Sequence, residues 1–313
     1  ARMQKEVLEV RLRTLDERHP DVQKARLDLG ASLRALGDLR AAHALFELAV
    51  AAYAATVPEE HPDHLHALLN LGTTTQELGD VIGSRSIFER VLEISLRIHP
   101  EHHPDVQLAR RNVAVTLNAL GDLEGARVLQ ERVLEVQSRT RPEQHPDLQA
   151  ARLNLAGTLH ELGDLHRARV LKEKVLEVYS RTWAEDHPEL QAARSSLART
   201  LRAFGDLQGA RALNERVLAV RSRNLPEDHF QLQRARLELA ATLFVAGEVE
   251  HARTLTQQVL EVYGRTLGPR HPELQVAREN LAASLYAIGD LSAARELYEL
   301  VFDVRAKDLE PTH

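Results

Sequence analysis

The run His145-Pro146-Asp147-Leu148-Gln149-Ala150-Ala151-Arg152-Leu153-Asn154-Leu155-Ala156-Gly157-Thr158-Leu159-His160-Glu161-Leu162-Gly163-Asp164 decides how this chain is read. Proline in a first helical turn costs no hydrogen bond, and the carboxylate after it meets the positive end of a helix dipole. Leu148, Ala151, Leu155, Ala156, Leu159 and Leu162 recur at steps of three and four, which predicts one buried helical stripe. Gly163 suits the left-handed residue that closes a helix, and Asp164 suits the cap of the next one. Ala168, Leu171, Val175, Leu176 and Val178 carry the pattern on towards Arg181 and Thr182. The stretch reads as a helical hairpin.

The hairpin repeats. His-Pro recurs at His19, His61, His103, His145, His187 and His271, His229-Phe230 fills the one gap, and the chain stops at His313, every interval being 42 residues. Seven units are expected at 19–60, 61–102, 103–144, 145–186, 187–228, 229–270 and 271–312, in one solenoid domain whose core is shared between neighbours. Residues 1–18 match the second helix of a preceding unit. Gly37, Gly79, Gly121, Gly163, Gly205, Gly247 and Gly289 hold the closing position, each followed by Asp or, once, by Glu248, a weaker cap. Small residues recur where two helices must approach, as at Gly30, Gly72, Ala114, Ala156, Ala198, Ala240 and Ala282. Larger side chains there would overpack the hairpin by about 1–3 kcal/mol each.

Leu-x-x-Leu-Ala-x-x-Leu-x-x-x-Gly-Asp-Leu-x-x-Ala-x-x-Leu, preceded by His-Pro-Asp, resembles the tetratricopeptide repeat, in the 42-residue form of kinesin light chains and many bacterial multidomain proteins. The resemblance implies an all-α, right-handed superhelical solenoid of helix-turn-helix repeats, whose first helices line a concave groove that holds peptides. Two departures keep kinesin-type cargo specificity from carrying over. Arg stands where kinesin light chains usually have Leu, and of their paired Asn only the second survives, at Asn70, Asn112, Asn154 and Asn280. The family's clamp for an acidic C-terminus is also missing, since its positions hold Leu27, Leu69, Arg111, Leu153, Ser195, Leu237 and Glu279. In bacteria such repeats often accompany a protease or a nucleotide-switch ATPase, so an adjoining regulated domain of a longer parent chain is a further expectation.

The 313 residues carry 40 Lys+Arg against 46 Asp+Glu, a net charge of −6. Acids at helix starts account for thirteen negative charges, whereas first-helix interiors hold twelve bases and five acids. A basic groove favouring an acidic protein or peptide partner is the expectation. Arg26, Arg110, Arg152, Arg194, Arg236 and Arg278 supply half of those bases, and a second reading stays open for them: stems laid between neighbouring units and heads paired with Glu. On the second helices, Arg169/Glu173, Glu177/Arg181, Arg127/Glu131 and Glu135/Arg139 stand four apart, the mark of a solvated outer face.

By resemblance, the sixth, ninth, thirteenth and sixteenth positions of each unit face the groove. Arg199, Arg202, Arg234, Leu237, Phe244, Val276 and Tyr286 then form the partner-binding candidate, because basic groups among apolar and aromatic anchors are the usual makeup of hot spots. His66, Leu69 and Arg111 form a secondary groove site, in a region where His64, Leu65, His66 and Leu68 break the common pattern and Thr75 replaces a core Leu. Tyr298, Leu300 and Phe302 make the final second helix apolar. Neither end carries a polar capping helix, so a piece of a longer protein, an end that docks onto another subunit or domain, or both, are expected.

Other functions find little support. Without Cys there is no disulfide, thiolate catalysis or Cys-based zinc site, and no phosphate loop or hydrolase motif occurs. Neither a catalytic residue nor a cofactor is expected. Repeat-starting His residues in successive hairpins stand too far apart to share an ion, so no metal is expected; His99, His102 and His103 offer only an adventitious site. No apolar run reaches the roughly 18 residues of a membrane span, and a cytoplasmic setting is expected. The reading is a non-enzymatic interaction scaffold or adaptor. Its alternatives are a nucleic-acid-binding solenoid, disfavoured by the mild acidity, and an array that self-assembles through exposed ends.

Overall fold

The structure, a computed structural model, describes residues 1–309; His313 and the end of the seventh repeat lie outside them. Among the described residues every regular element is a helix: α1 (Arg2–Thr14), α2 (Pro20–Ala35), α3 (Leu39–Thr56), α4 (Pro62–Glu77), α5 (Val81–Ile98), α6 (Pro104–Ala119), α7 (Leu123–Thr140), α8 (Pro146–Glu161), α9 (Leu165–Thr182), α10 (Pro188–Phe204), α11 (Leu207–Asn224), α12 (Phe230–Val245), α13 (Val249–Thr266), α14 (Pro272–Ala287) and α15 (Leu291–Leu309). The fold is an all-α solenoid of helix-turn-helix repeats. It comprises two compact units, residues 1–162 with α1–α8 and the chain from Gly163 onward. Within each unit consecutive helices pack together, and α2 also touches α4, α10 touches α12 and α12 touches α14. First helices thus lie side by side within each unit, as α2 with α4 in the first and α10, α12 and α14 in the second.

Each repeat is punctuated by the same local chemistry. The His before each even-numbered helix is its N-cap, Nδ1 accepting the N–H two residues on at 3.1 to 3.3 Å. The seven closing glycines sit at φ between 80° and 94°, where a Cβ would be strained. Asp38, Asp80, Asp122, Asp164, Asp206 and Asp290 then cap the odd-numbered helices through Oδ1 at 2.8 to 3.2 Å. Glu248 makes no cap bond and turns instead to Arg211 and to His251 Nδ1.

The column of six arginines is part of the scaffold. Arg26, Arg110, Arg152, Arg194 and Arg236 reach back to Glu17, Glu101, Glu143, Glu185 and Glu227 in the connection before their own helix. Arg194 is nearly inaccessible and holds Glu185 through two bonds of 2.8 Å. Beside each stands a buried Gln (Gln23, Gln107, Gln149, Gln191, Gln233) whose amide donates to that same glutamate's carbonyl, tying connection to helix. Pro269 stands where the other connections have that glutamate, and Arg278 bonds Gln275 Oε1 at 3.1 Å. In the second repeat Leu65 and Leu68 take the Gln and Arg positions and pack with Val91, Ile94 and Ala109. The departure around His64 is therefore an apolar replacement of a buried ion pair, an exchange that proteins tolerate well. Thr75, in the place of a core Leu, is buried, donates to the Leu71 carbonyl at 2.8 Å and meets His43 Nε2 at 3.1 Å. The four pairs on the second helices form as expected.

Candidate functional site

With its column spoken for, the first-helix face keeps six interior bases against five acids, so it is not basic throughout. Cations gather instead in the second unit. A pocket of about 340 Å³ opens between α10 and α12, lined by Ser195, Ser196 and Arg199 from α10, Phe230, Gln231, Arg234 and Glu238 from α12, and Arg221 from α11 behind them. Glu238, its one carboxylate, is held by Arg202 at 3.2 Å. Among the described residues no carboxylate ion-pairs with Arg199, Arg221 or Arg234.

Arg221 is half-buried. One Nη donates to the Gln231 carbonyl at 2.9 Å, while its Nε is buried without an acceptor. Burial, then the charge of Arg234, pushes its pKa down. Arg11, at the equivalent position before α2, donates to the Asp21 carbonyl in the same way, so that bond alone is a scaffold feature. The company of Arg199 and Arg234 is what sets Arg221 apart. Lys172 on α9 adds a fourth cation beneath: it is buried, donates to Thr200 Oγ1 at 2.7 Å and the Ser196 carbonyl at 3.2 Å, and is pushed down to about 8 by burial first and by Arg199 second.

The structure distributes the expected binding residues. Arg199 and Arg234 meet in this pocket. Arg202 and Phe244 share a neighbouring one with Ala241, Asn280 and Ala283. Arg202 is no free charge, since it ties α10 to α12 through the Glu238 carboxylate and carbonyl, both at 3.2 Å. Leu237 is corrected: it is 6% exposed and packs with Val259, Tyr263, Leu274 and Ala277, because this apolar side chain is taken into the core shared with α13 and α14. Val276 is exposed. Tyr286 lies with Tyr298 and Phe302 in an open pocket over α15, and Leu300 is exposed outside it.

The secondary set divides too. His66 is exposed, Leu69 packs partly into the core beside Phe88 and Leu92, and Arg111 lines a pocket of about 230 Å³ with Leu108, Arg141 and Asn154. That pocket also meets Gln107, Gln130 and Gln137, whose buried Oε1 atoms have no partner, so it offers acceptors more than charge. Of the three neighbouring histidines, His99 and His103 stack at 3.7 Å beside Asp105, but His103 Nδ1 is already occupied as a helix cap.

Arg221 and Phe230 were not singled out by sequence reasoning, though a signal was there. Arg221 stands where five other units have Tyr53, Ser95, Gln137, Tyr179 and Tyr263, and shares Arg only with Arg11 and Arg305. Phe230 replaces the proline of every other repeat, and Arg199 replaces a small or β-branched residue. Three departures from the repeat converge on one pocket.

The tetratricopeptide repeat profile matches residues 22–63, 63–139, 147–223 and 231–307, and the chain belongs to that family. Repeats of this family generally mediate protein–protein interaction. A search of curated proteins gives no significant match. Among solved structures, the nearly identical TPR-like repeats of a kinesin light chain from Podosopora anserina share 28% identity over 66% of this chain and 98% of that one, with a TM-score of 0.61. A Rap protein complexed with Competence and Sporulation Factor aligns over 97% of this chain and 79% of its own, at 13% identity and a TM-score of 0.62. A signal transduction ATPase with a tetratricopeptide repeat sensor from Pyrococcus horikoshii aligns over 93% and 44%, at 13% identity and a TM-score of 0.69. The last two likenesses are of fold alone. No helix among the described residues is long and apolar enough to cross a membrane.

Proposed function

We propose that the chain is a non-catalytic interaction module that holds an acidic segment of a partner protein on the first-helix face of its second unit. The observation that carries this reading is the trio Arg199, Arg221 and Arg234, unpaired with any carboxylate among the described residues and open to solvent on one side. A pocket walled by like charges focuses field toward an anion, and Phe230 and Phe244 supply apolar contact beside it. The Rap structure, a complex with Competence and Sporulation Factor, lends fold-level support for a bound partner. The nucleic-acid alternative loses its basis, because the arginine column that was to meet phosphates is turned into the scaffold.

The test is selection from a displayed peptide library with the full chain and with Arg199→Glu/Arg234→Glu. Acidic peptides should be enriched by the parent chain and lost by the variant at unchanged melting temperature, since among the described residues neither side chain makes a hydrogen bond or ion pair. Equal enrichment by both proteins sinks the assignment. Arg202→Glu is unsuitable as the probe, because it breaks the tie to Glu238.

A further inference from the structure

We infer that the pocket bounded by Arg199, Arg221 and Arg234 is a seat for a phosphoryl group carried on a peptide side chain. The inference rests on the acidic-partner reading and narrows it. A carboxylate brings one charge and two oxygens; a phosphomonoester brings nearly two charges and three strongly accepting oxygens. The pocket is matched to the larger demand. Three guanidiniums converge with Lys172 beneath, while the single carboxylate, Glu238, is engaged by Arg202. A guanidinium presents N–H groups in a planar fork suited to phosphate oxygens, and two serine side chains, Ser195 and Ser196, line the same wall.

Two further observations support this seat. The Arg221 charge is held half-buried with an unsatisfied Nε, a cost that folding alone does not repay and that a dianion at its free edge offsets. Two of the residues that build the pocket break the repeat outright: Arg199 stands where the others place Ala, Gly, Thr or Val, and Phe230 where they place Pro, while Arg221 shares its position with only Arg11 and Arg305, and Arg234 shares a basic residue with only Lys24. A scaffold requirement would appear in every repeat, whereas this cluster appears once. The exposed Phe230 ring offers a face to the residue beside the phosphorylated one, and the pocket of Arg202 and Phe244 lies further along α12, reaching across to α14. A peptide, more than a free ion, fits that continuation.

The experiment uses the full chain and fluorescence anisotropy with two labelled probes of otherwise identical Gly-Ala sequence, one carrying phosphoserine and the other glutamate. Inorganic phosphate and acetate serve as unlabelled competitors. The phosphoserine probe is expected to bind at least tenfold more tightly. Its advantage should grow between pH 5.5 and 7.5 as the phosphate loses its second proton near pH 6. The groups facing the probe do not mimic that rise: Lys172, pushed down to about 8 by burial, and Glu238 act on both probes alike. Arg221→Gln and, independently, Arg234→Gln should each remove the preference with helicity retained, and Arg181→Gln on the outer face should not. Equal binding of the two probes overturns the phosphoryl inference and leaves the acidic-partner reading standing. A preference that survives both pocket variants overturns the site. Inorganic phosphate competing as strongly as the phosphopeptide overturns the peptide-borne assignment. Absence of any phosphate-dependent binding overturns the inference, and the library selection then decides the broader reading separately.

Discussion

Gly30 and Phe46 offer a quantitative check on how the helices of one hairpin are spaced. A Cβ built on Gly30 would lie 2.6 Å from Phe46 Cε1 and 2.8 Å from Cζ, inside any real carbon contact, and Phe46 is fully buried. Gly72 and Phe88 repeat the geometry at 2.7 Å, whereas the next four repeats pair Ala with the smaller or more flexible Gln130, Lys172, Asn214 and Thr256. Gly30→Ala gains about 1 kcal/mol of helix propensity and loses about 1–3 kcal/mol to overpacking. The net is a destabilisation of up to about 2 kcal/mol. Phe46→Thr empties a buried ring site and should cost about 3–5 kcal/mol. In the double variant the new methyl occupies part of that space, so the two costs should fall short of additivity by at least about 1 kcal/mol. Hydrogen exchange of α2 and α3 amides reads the local stability directly, which suits a repeat array in which one global unfolding energy is not guaranteed. Additivity to within about 0.5 kcal/mol would show that ring and glycine do not constrain one another, and the packing account of the small-residue column would fail.

Other consequences concern caps and charges. His145→Ala should cost about 1 kcal/mol in chemical denaturation, and His145→Asn, which restores a cap acceptor, should recover most of it; equal losses would mean the imidazole is not the cap. The Glu101 carboxyl is held at about 2 by Arg132 and Arg110, and that of Glu185 at about 2 by Arg194 and Arg216. A depressed carboxylate contributes stability above its ordinary range that is lost as pH falls toward 2, so Glu185→Gln should flatten acid unfolding there, and an unchanged profile would contradict the assignment. Lys172 gives the same sign in an alkaline window, although here it is the charged form that burial disfavours: its pKa, lowered to about 8, means the unfolded chain binds more protons above that pH. Stability should rise between pH 8 and 10 relative to Lys172→Met, as followed by thermal melts, and parallel curves would refute the burial account.

Much of the fold was legible because local chemistry and period agreed. Pro and acid at helix starts, Gly at helix ends and apolar steps of three and four set helix limits with little help from distant residues, and a repeat states the same instruction seven times. The His-Pro signature was legible as a boundary, while its physics was not: only coordinates show that the imidazole Nδ1 takes the cap bond. The arginine column shows the limit more sharply. Sequence left two readings of Arg152 and its counterparts open, and the choice depended on a glutamate nine residues earlier folding back onto the helix.

What the sequence by itself determined is the repeating hairpin, its turns and the existence of a first-helix face, since each follows from contacts a few residues apart. Tertiary structure decided which charges face a partner. Arg194 and Arg199 are five residues apart on one helix, yet one is enclosed by its own connection and the other stands free beside Arg221 and Arg234 of other helices. A side chain's electrostatic role is set by its neighbours in space, and those neighbours come from other helices and, with Arg234, from the next repeat.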